Sequence, residues 1–75
     1  MLPAPPARLQ IRVFEECVSS RPADAELHMA LGVLHHLNRH FHAACTAFER
    51  ALELRPTDYS LWNKLGATMA NHARR

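Results

Sequence analysis

Seventy-five residues, 48% of them hydrophobic, suffice for one small domain with a thin core and argue against a disordered chain. A net charge of +2, with Arg74 and Arg75 supplying much of the excess, is too mild for a nucleic-acid surface. No apolar run approaches the length of a membrane span. The two cysteines, Cys17 and Cys45, fall inside helical patterns without ligand spacing. They read as small core residues of a reducing compartment, and nothing indicates a disulfide. The opening Met-Leu-Pro-Ala-Pro-Pro lacks the charge and long apolar core of a signal peptide, so the cytosol is the expected setting.

Pro3, Pro5 and Pro6 make residues 1–6 an extended lead-in, with Pro6 placed to open a helix. From Ala7 to about Ser19, Leu9, Val13, Phe14, Cys17 and Val18 form a helical apolar stripe. Arg21-Pro22 stops it, and Asp24 can cap the next helix. The second helix runs to about Leu37. It carries Leu27, Ala30, Leu31 and Leu34 on one side and Met29, Val33 and Leu37 on another, which predicts neighbours on both. Asn38-Arg39-His40 reads as a short turn, with Asn38 able to take a left-handed conformation at the helix end. The third helix turns Phe41, Ala44, Cys45, Phe48, Ala51 and Leu52 inward and Glu49, Arg50 and Glu53 outward. Arg55-Pro56 ends it and Asp58 caps a fourth helix, in which Leu61, Trp62, Leu65 and Met69 form the apolar face. Asn63, Ala67 and Asn71, four residues apart, form a second stripe with Lys64 at its edge. An asparagine amide both donates and accepts, so such a stripe suits contact with another polypeptide's backbone. The pattern is all-helical, without strand-like alternation.

Shifted by 34 residues, the chain matches itself. Phe14 falls on Phe48, Glu15 on Glu49, Arg21-Pro22 on Arg55-Pro56, Asp24 on Asp58 and Leu31-Gly32 on Leu65-Gly66. Cys17 meets Ala51, and His28 meets Trp62. A helix–turn–helix repeat of this length resembles the tetratricopeptide repeat. Leu31-Gly32, Ala44, Phe48, Ala51 and Pro56 match that pattern, whereas His28 stands at its usual tryptophan position. The physics is packing: Gly32 and Gly66 permit close helix approach, Ala44 and Ala51 do so from the facing side, and Phe48 fills the space between. The expected fold is therefore an all-α, tetratricopeptide-repeat helical solenoid fragment of about four antiparallel helices. Residues 7–21 are the second helix of a preceding repeat, 25–58 one complete repeat, and 59–75 the first helix of the following one. The chain reads as a piece of a longer array.

The run Leu61-Trp-Asn-Lys-Leu-Gly-Ala-Thr-Met-Ala-Asn71 goes beyond the general repeat. With Leu31-Gly-Val-Leu34 and Ala51-Leu-Glu-Leu-Arg-Pro56, it resembles the peroxisomal import receptors that recognise the type 1 targeting signal. In tetratricopeptide arrays the first helices line a concave groove, which here means Met29, Val33 and Leu37 beside Asn63, Ala67 and Asn71. The resemblance implies a cytosolic receptor, cycling to the peroxisome membrane, that encloses a C-terminal peptide of the Ser-Lys-Leu type. It implies that Asn63 and Asn71 bond to the peptide backbone and its carboxylate, that Lys64 aids anion recognition, and that Ala67 leaves room. Implied partners are the targeting peptides of cargo proteins and, for the full-length receptor, peroxisomal docking proteins. Groove residues that the family draws from other repeats are absent, so this chain holds part of such a site.

Two rival readings stand beside it. A general tetratricopeptide interaction scaffold, such as a co-chaperone adaptor for acidic C-termini, would present several groove cations, and here one lysine does so. A metal or hydrolase site on His36 and His40, with His35 and His42 nearby, lacks further ligands and the glutamate that a zinc protease needs between its histidines. These histidines read as exposed turn residues, with no metal or other cofactor, and the chain as not an enzyme. Uncovered apolar faces on the terminal helices predict marginal stability, self-association or a rearrangement of those helices.

Overall fold

The computed structural model describes residues 3 and 5–74. Pro3, Pro5 and Pro6 precede the first helix; the remaining lead-in positions, and Arg75, lie outside the described residues. Four helices follow in order: α1 (Ala7–Ser20), α2 (Ala25–Leu37), α3 (Phe41–Leu54) and α4 (Tyr59–Ala73). Among the described residues there is no strand. Each helix packs on the next in the chain, most extensively α2 on α3, then α3 on α4, then α1 on α2.

The internal repeat extends to backbone detail. α1 and α3 both end on an arginine before a proline: Arg21 lies at φ −133°, ψ 67° and Arg55 at φ −135°, ψ 72°. Their amides donate to Cys17 O and Ala51 O, which occupy equivalent positions. Asp24 and Asp58 then cap α2 and α4, accepting from Leu27 N at 3.4 Å and Leu61 N at 3.2 Å. The substitution of histidine for tryptophan preserves one contact. Trp62 Nε1 donates to Pro56 O at 3.0 Å, and His28 Nε2 reaches Pro22 O at 2.8 Å. A carbonyl only accepts, so Nε2 of His28 carries the proton.

The core has two parts. Ala44, Phe48, Ala51, Leu52, Leu61 and Leu65 form the larger, with Met29, Val33 and Cys45 packed against it. Ile11, Leu31 and Ala47 form the smaller, flanked by Phe14, Val18 and Leu34. Gly32 explains the tight α2–α3 contact: a Cβ there would lie 2.5 Å from Phe48 Cε1, and Phe48 is only 1% exposed. Only a residue without a side chain fits beneath that ring. Gly66 differs from the expected close approach, because a Cβ built there meets nothing within 4 Å.

Several apolar positions are corrected by the packing. In α1, Leu9, Val13 and Cys17 are exposed and Ile11 is buried. The helix leans on α2 through Ile11, Phe14 and Val18, a face rotated from the stripe that apolarity alone suggested. Cys17 is therefore not a core residue, and Cys45 is half-buried; both thiols are free. Burial, and secondarily Glu49, push the Cys45 thiol up, which keeps it protonated. In α4 the buried face is Leu61, Leu65 and Thr68, while Trp62 and Met69 are half exposed.

The α2–α3 turn is also corrected. Arg39, at φ 62°, holds the left-handed position expected of Asn38. Asn38 Nδ2 is instead engaged with Leu34 O at 2.8 Å. The amides of Arg39 and His40 close back on His36 O (3.0 Å) and His35 O (2.8 Å), the two bonds of a Schellman ending. That ending brings the His40 ring beside His35, with ring centroids 5.7 Å apart and the planes tilted by 47°. His35 is consequently buried rather than an exposed turn residue, and burial lowers its pKa, with Glu15 opposing and His40 reinforcing.

Candidate functional site

α2 and α4 both pack on α3, and His36 of α2 meets Thr68 of α4. Between the two helices opens a hollow of about 210 Å³. Val33, His36 and Leu37 line it from α2, Phe48 from α3, and Lys64, Ala67 and Thr68 from α4. Larger hollows of about 470 and 480 Å³ border α1, on Val13, Cys17 and Leu27 and on Ile11, Glu15 and His35. None of the peptide-contact residues expected from the sequence lines either one. The α2–α4 groove joins apolar walls to a few polar groups, the usual make-up of a ligand site.

Of the expected contact residues, Lys64 and Ala67 line this hollow, as do Val33 and Leu37. Asn63 and Asn71 do not line it; Asn63 is exposed and Asn71 half-buried on the same helix. Met29 packs against the larger core instead. Among the described residues the amides of Asn63 and Asn71 have no hydrogen-bond partner, leaving both donors and the acceptor of each unengaged. Lys64 Nζ donates to Ser60 Oγ at 2.8 Å. Among the described residues it has no carboxylate partner, since the ion pairs are Arg50–Glu53 and Arg55–Glu26. An ammonium with no neutralising acid, beside an apolar hollow, favours an anionic ligand group.

Two further groove residues were not legible as such. His36 Nδ1 lies 2.8 Å from Thr68 Oγ1, and Thr68 Oγ1 lies 2.8 Å from Lys64 O. His36 also meets Phe41 edge to face at 5.4 Å. Only the approach of α2 to α4 joins residues 32 apart in sequence. The hydroxyl beside an imidazole is not a nucleophile in waiting. Thr68 is fully buried, and its hydroxyl bonds back to its own helix. Among the described residues no group of three or more metal-ligating side chains comes together.

Residues 25–58 match the family described as "Tetratricopeptide repeat". The all-helical fold agrees with that match. It is similar to the PEX5-related protein of Mus musculus, 58% identical over 48 residues, which is 64% of this chain and 8% of that relative. It is 47% identical over 64 residues to the peroxisomal targeting signal 1 receptor of Dictyostelium discoideum, covering 83% of this chain and 10% of the relative. The peroxisomal targeting signal receptor of Candida albicans is 47% identical over 51 residues, 68% of this chain and 9% of the relative. The chain thus spans about a tenth of the length of the curated relatives it matches. No helix among the described residues is long and apolar enough to cross a membrane.

Proposed function

We propose that this chain forms part of the groove of a receptor for C-terminal targeting peptides of the Ser-Lys-Leu type. The receptor works in the cytosol, cycles to the peroxisome membrane through docking proteins there, and serves import of cargo into the matrix. Within it, residues 7–21 act as the second helix of one repeat, 25–58 as a complete repeat, and 59–75 as the first helix of the next. Asn63 and Asn71 donate to the peptide backbone and its terminal carboxylate. Lys64 attracts that carboxylate, and Ala67 stays small so that an extended peptide can lie along α4. The chain's part in this is binding, not catalysis.

One observation carries the reading: an apolar hollow, an unneutralised ammonium and two unpartnered amides adjoin the same helix. A carboxylate taken out of water needs several donors at once, and a mixture of amides and a cation supplies them. Similarity to proteins named as targeting signal receptors points the same way. A general interaction scaffold for acidic tails would gain more from several groove cations than from one lysine and two asparagines.

The test is a nuclear magnetic resonance titration of the ¹⁵N-labelled chain with a peptide ending in Ser-Lys-Leu. Binding should move the side-chain amide signals of Asn63 and Asn71 and the backbone signals of residues 33–37 and 63–71. Amidating the peptide's C-terminus should largely abolish these shifts. Unmoved asparagine signals, or an equal response to the amidated peptide, would overturn the proposal.

A further inference from the structure

The hydrogen-bond chain in the groove fixes which nitrogen of His36 carries a proton. Thr68 Oγ1 lies 2.8 Å from both Lys64 O and His36 Nδ1, and it has one hydrogen to give. Lys64 O is a carbonyl and can only accept, so the hydroxyl donates to it, as helix threonines commonly do four residues back. Were Nδ1 also an acceptor, it would face the hydroxyl's lone pairs at 2.8 Å. The stable arrangement has Nδ1–H donating to Thr68 Oγ1, which leaves the lone pair of neutral His36 on Nε2.

Nε2 itself is unpartnered and open to solvent. Among the described residues it has no hydrogen-bond partner, and no buried side-chain nitrogen or oxygen lacks one. The unpartnered nitrogen of this half-buried residue is therefore reached by solvent. The same residue lines the hollow with Ala67 and Lys64. Lys64 on α4 is the charged group on that lining, and α3 faces His36 with the Phe41 and Phe48 rings. His35 and His40 line a different hollow with Arg8, Arg12 and Glu15, and His42 pairs with His72 at 6.0 Å.

We propose that His36 is a titratable contact for the bound peptide's carboxylate, making the groove bind carboxylate-ended peptides more tightly as pH falls. The inference rests on the peptide-groove reading above. While His36 is neutral, Nε2 presents a lone pair to the ligand and repels an anionic oxygen. Once protonated it presents an N–H and a positive charge, joining Lys64 as a second cation of the hollow while Nδ1–H keeps its bond to Thr68.

The experiment uses the ¹⁵N-labelled chain, an acetylated peptide ending in Ser-Lys-Leu and its C-terminal amide. In the free chain at neutral pH, the imidazole nitrogen signals of His36 should show a proton on Nδ1 and none on Nε2. Affinity for the acid peptide should rise about five- to tenfold between pH 7.5 and 5.5, the size of one charge-assisted hydrogen bond at a partly exposed site. The amide peptide should show little of this rise. His36→Gln, with helicity checked by circular dichroism, should bind but lose most of the pH dependence. An Nε2–H tautomer in the free chain, or a pH dependence that survives in His36→Gln or extends to the amide peptide, would overturn the proposal. Binding without His36-linked pH dependence leaves the groove reading standing; no binding at any pH removes both.

Discussion

α2 and α4 begin on the same aspartate cap and carry the same Leu-Gly pair, yet one is covered where the other is open. On α2, Ala25, His28, Gly32 and His35 are buried. Their counterparts on α4, Tyr59, Trp62, Gly66 and Met69, are exposed, Tyr59 by 79%. Local signals are alike, so the difference lies in neighbours: α3 lays Phe48 across Gly32, and among the described residues nothing does the same for Gly66. The lesson is that a repeat sequence encodes two interfaces per helix, whereas burial depends on which neighbouring helices are present. The stripe of Asn63, Ala67 and Asn71 on α4 is a third surface, exposed at Asn63 and Ala67 and half-buried at Asn71, and it is the one the proposed function assigns to the peptide.

The largest way to sharpen this contrast is at the two phenylalanines. Phe48→Ala should lower unfolding free energy by about 3–5 kcal/mol, the loss typical of a buried ring. Phe14→Ala, at the equivalent but half-buried site, should cost about half as much or less. Equal losses in urea melts would mean that α1 is as fully packed as α3. Next come the glycines. Gly32→Ala should destabilise by about 1–2 kcal/mol, a clash partly offset by alanine's helix preference. Gly66→Ala should stabilise by up to about 1 kcal/mol, because alanine's preference acts there without a clash. Changes of the same sign would break the comparison. The caps, where the two regions agree, should respond alike: Asp24→Ala and Asp58→Ala should each lose about 1 kcal/mol.

The smallest effect is the pH dependence of the α1-facing side. Burial lowers the pKa of His35, so the unfolded chain binds the proton more readily than the folded one. The contribution of neutral His35 is then complete above about pH 6.5, the ordinary imidazole value, and is lost as the pH falls below it. The thermal midpoint should drop modestly between pH 7 and 5, and less so in His35→Gln. A midpoint that rose on acidification in the parent alone would contradict the assignment.

How far the sequence could be read follows from the same contrast. Element identity was legible because proline stops and aspartate caps act within a few residues, and the 34-residue offset repeated them. Ile11 and Thr68 were not legible as buried. Their burial depends on the angle at which one helix crosses another, and apolar stripes on a helix as mixed as α1 point in more than one direction. The left-handed Arg39 escaped because asparagine ordinarily takes that position more readily; the competing bond from Asn38 to Leu34 O decided otherwise. The asparagine stripe was visible as a spacing, whereas the His36–Thr68 contact exists only after α2 and α4 come together.

The central claim is that the free stripe of α4 reads a peptide's backbone and carboxylate. It is tested most directly by fluorescence anisotropy of a labelled Ser-Lys-Leu peptide with the full proposed receptor carrying the parent sequence, Asn63→Ala or Asn71→Ala, helicity serving as the folding control. Each change should weaken binding by about 1–3 kcal/mol, since it leaves a peptide polar group without its partner. Ala67→Leu should be at least as damaging, because it fills the groove without touching a core contact. Well-folded asparagine variants that bind as tightly as the parent would contradict the account and reduce the stripe to a solvated helix face.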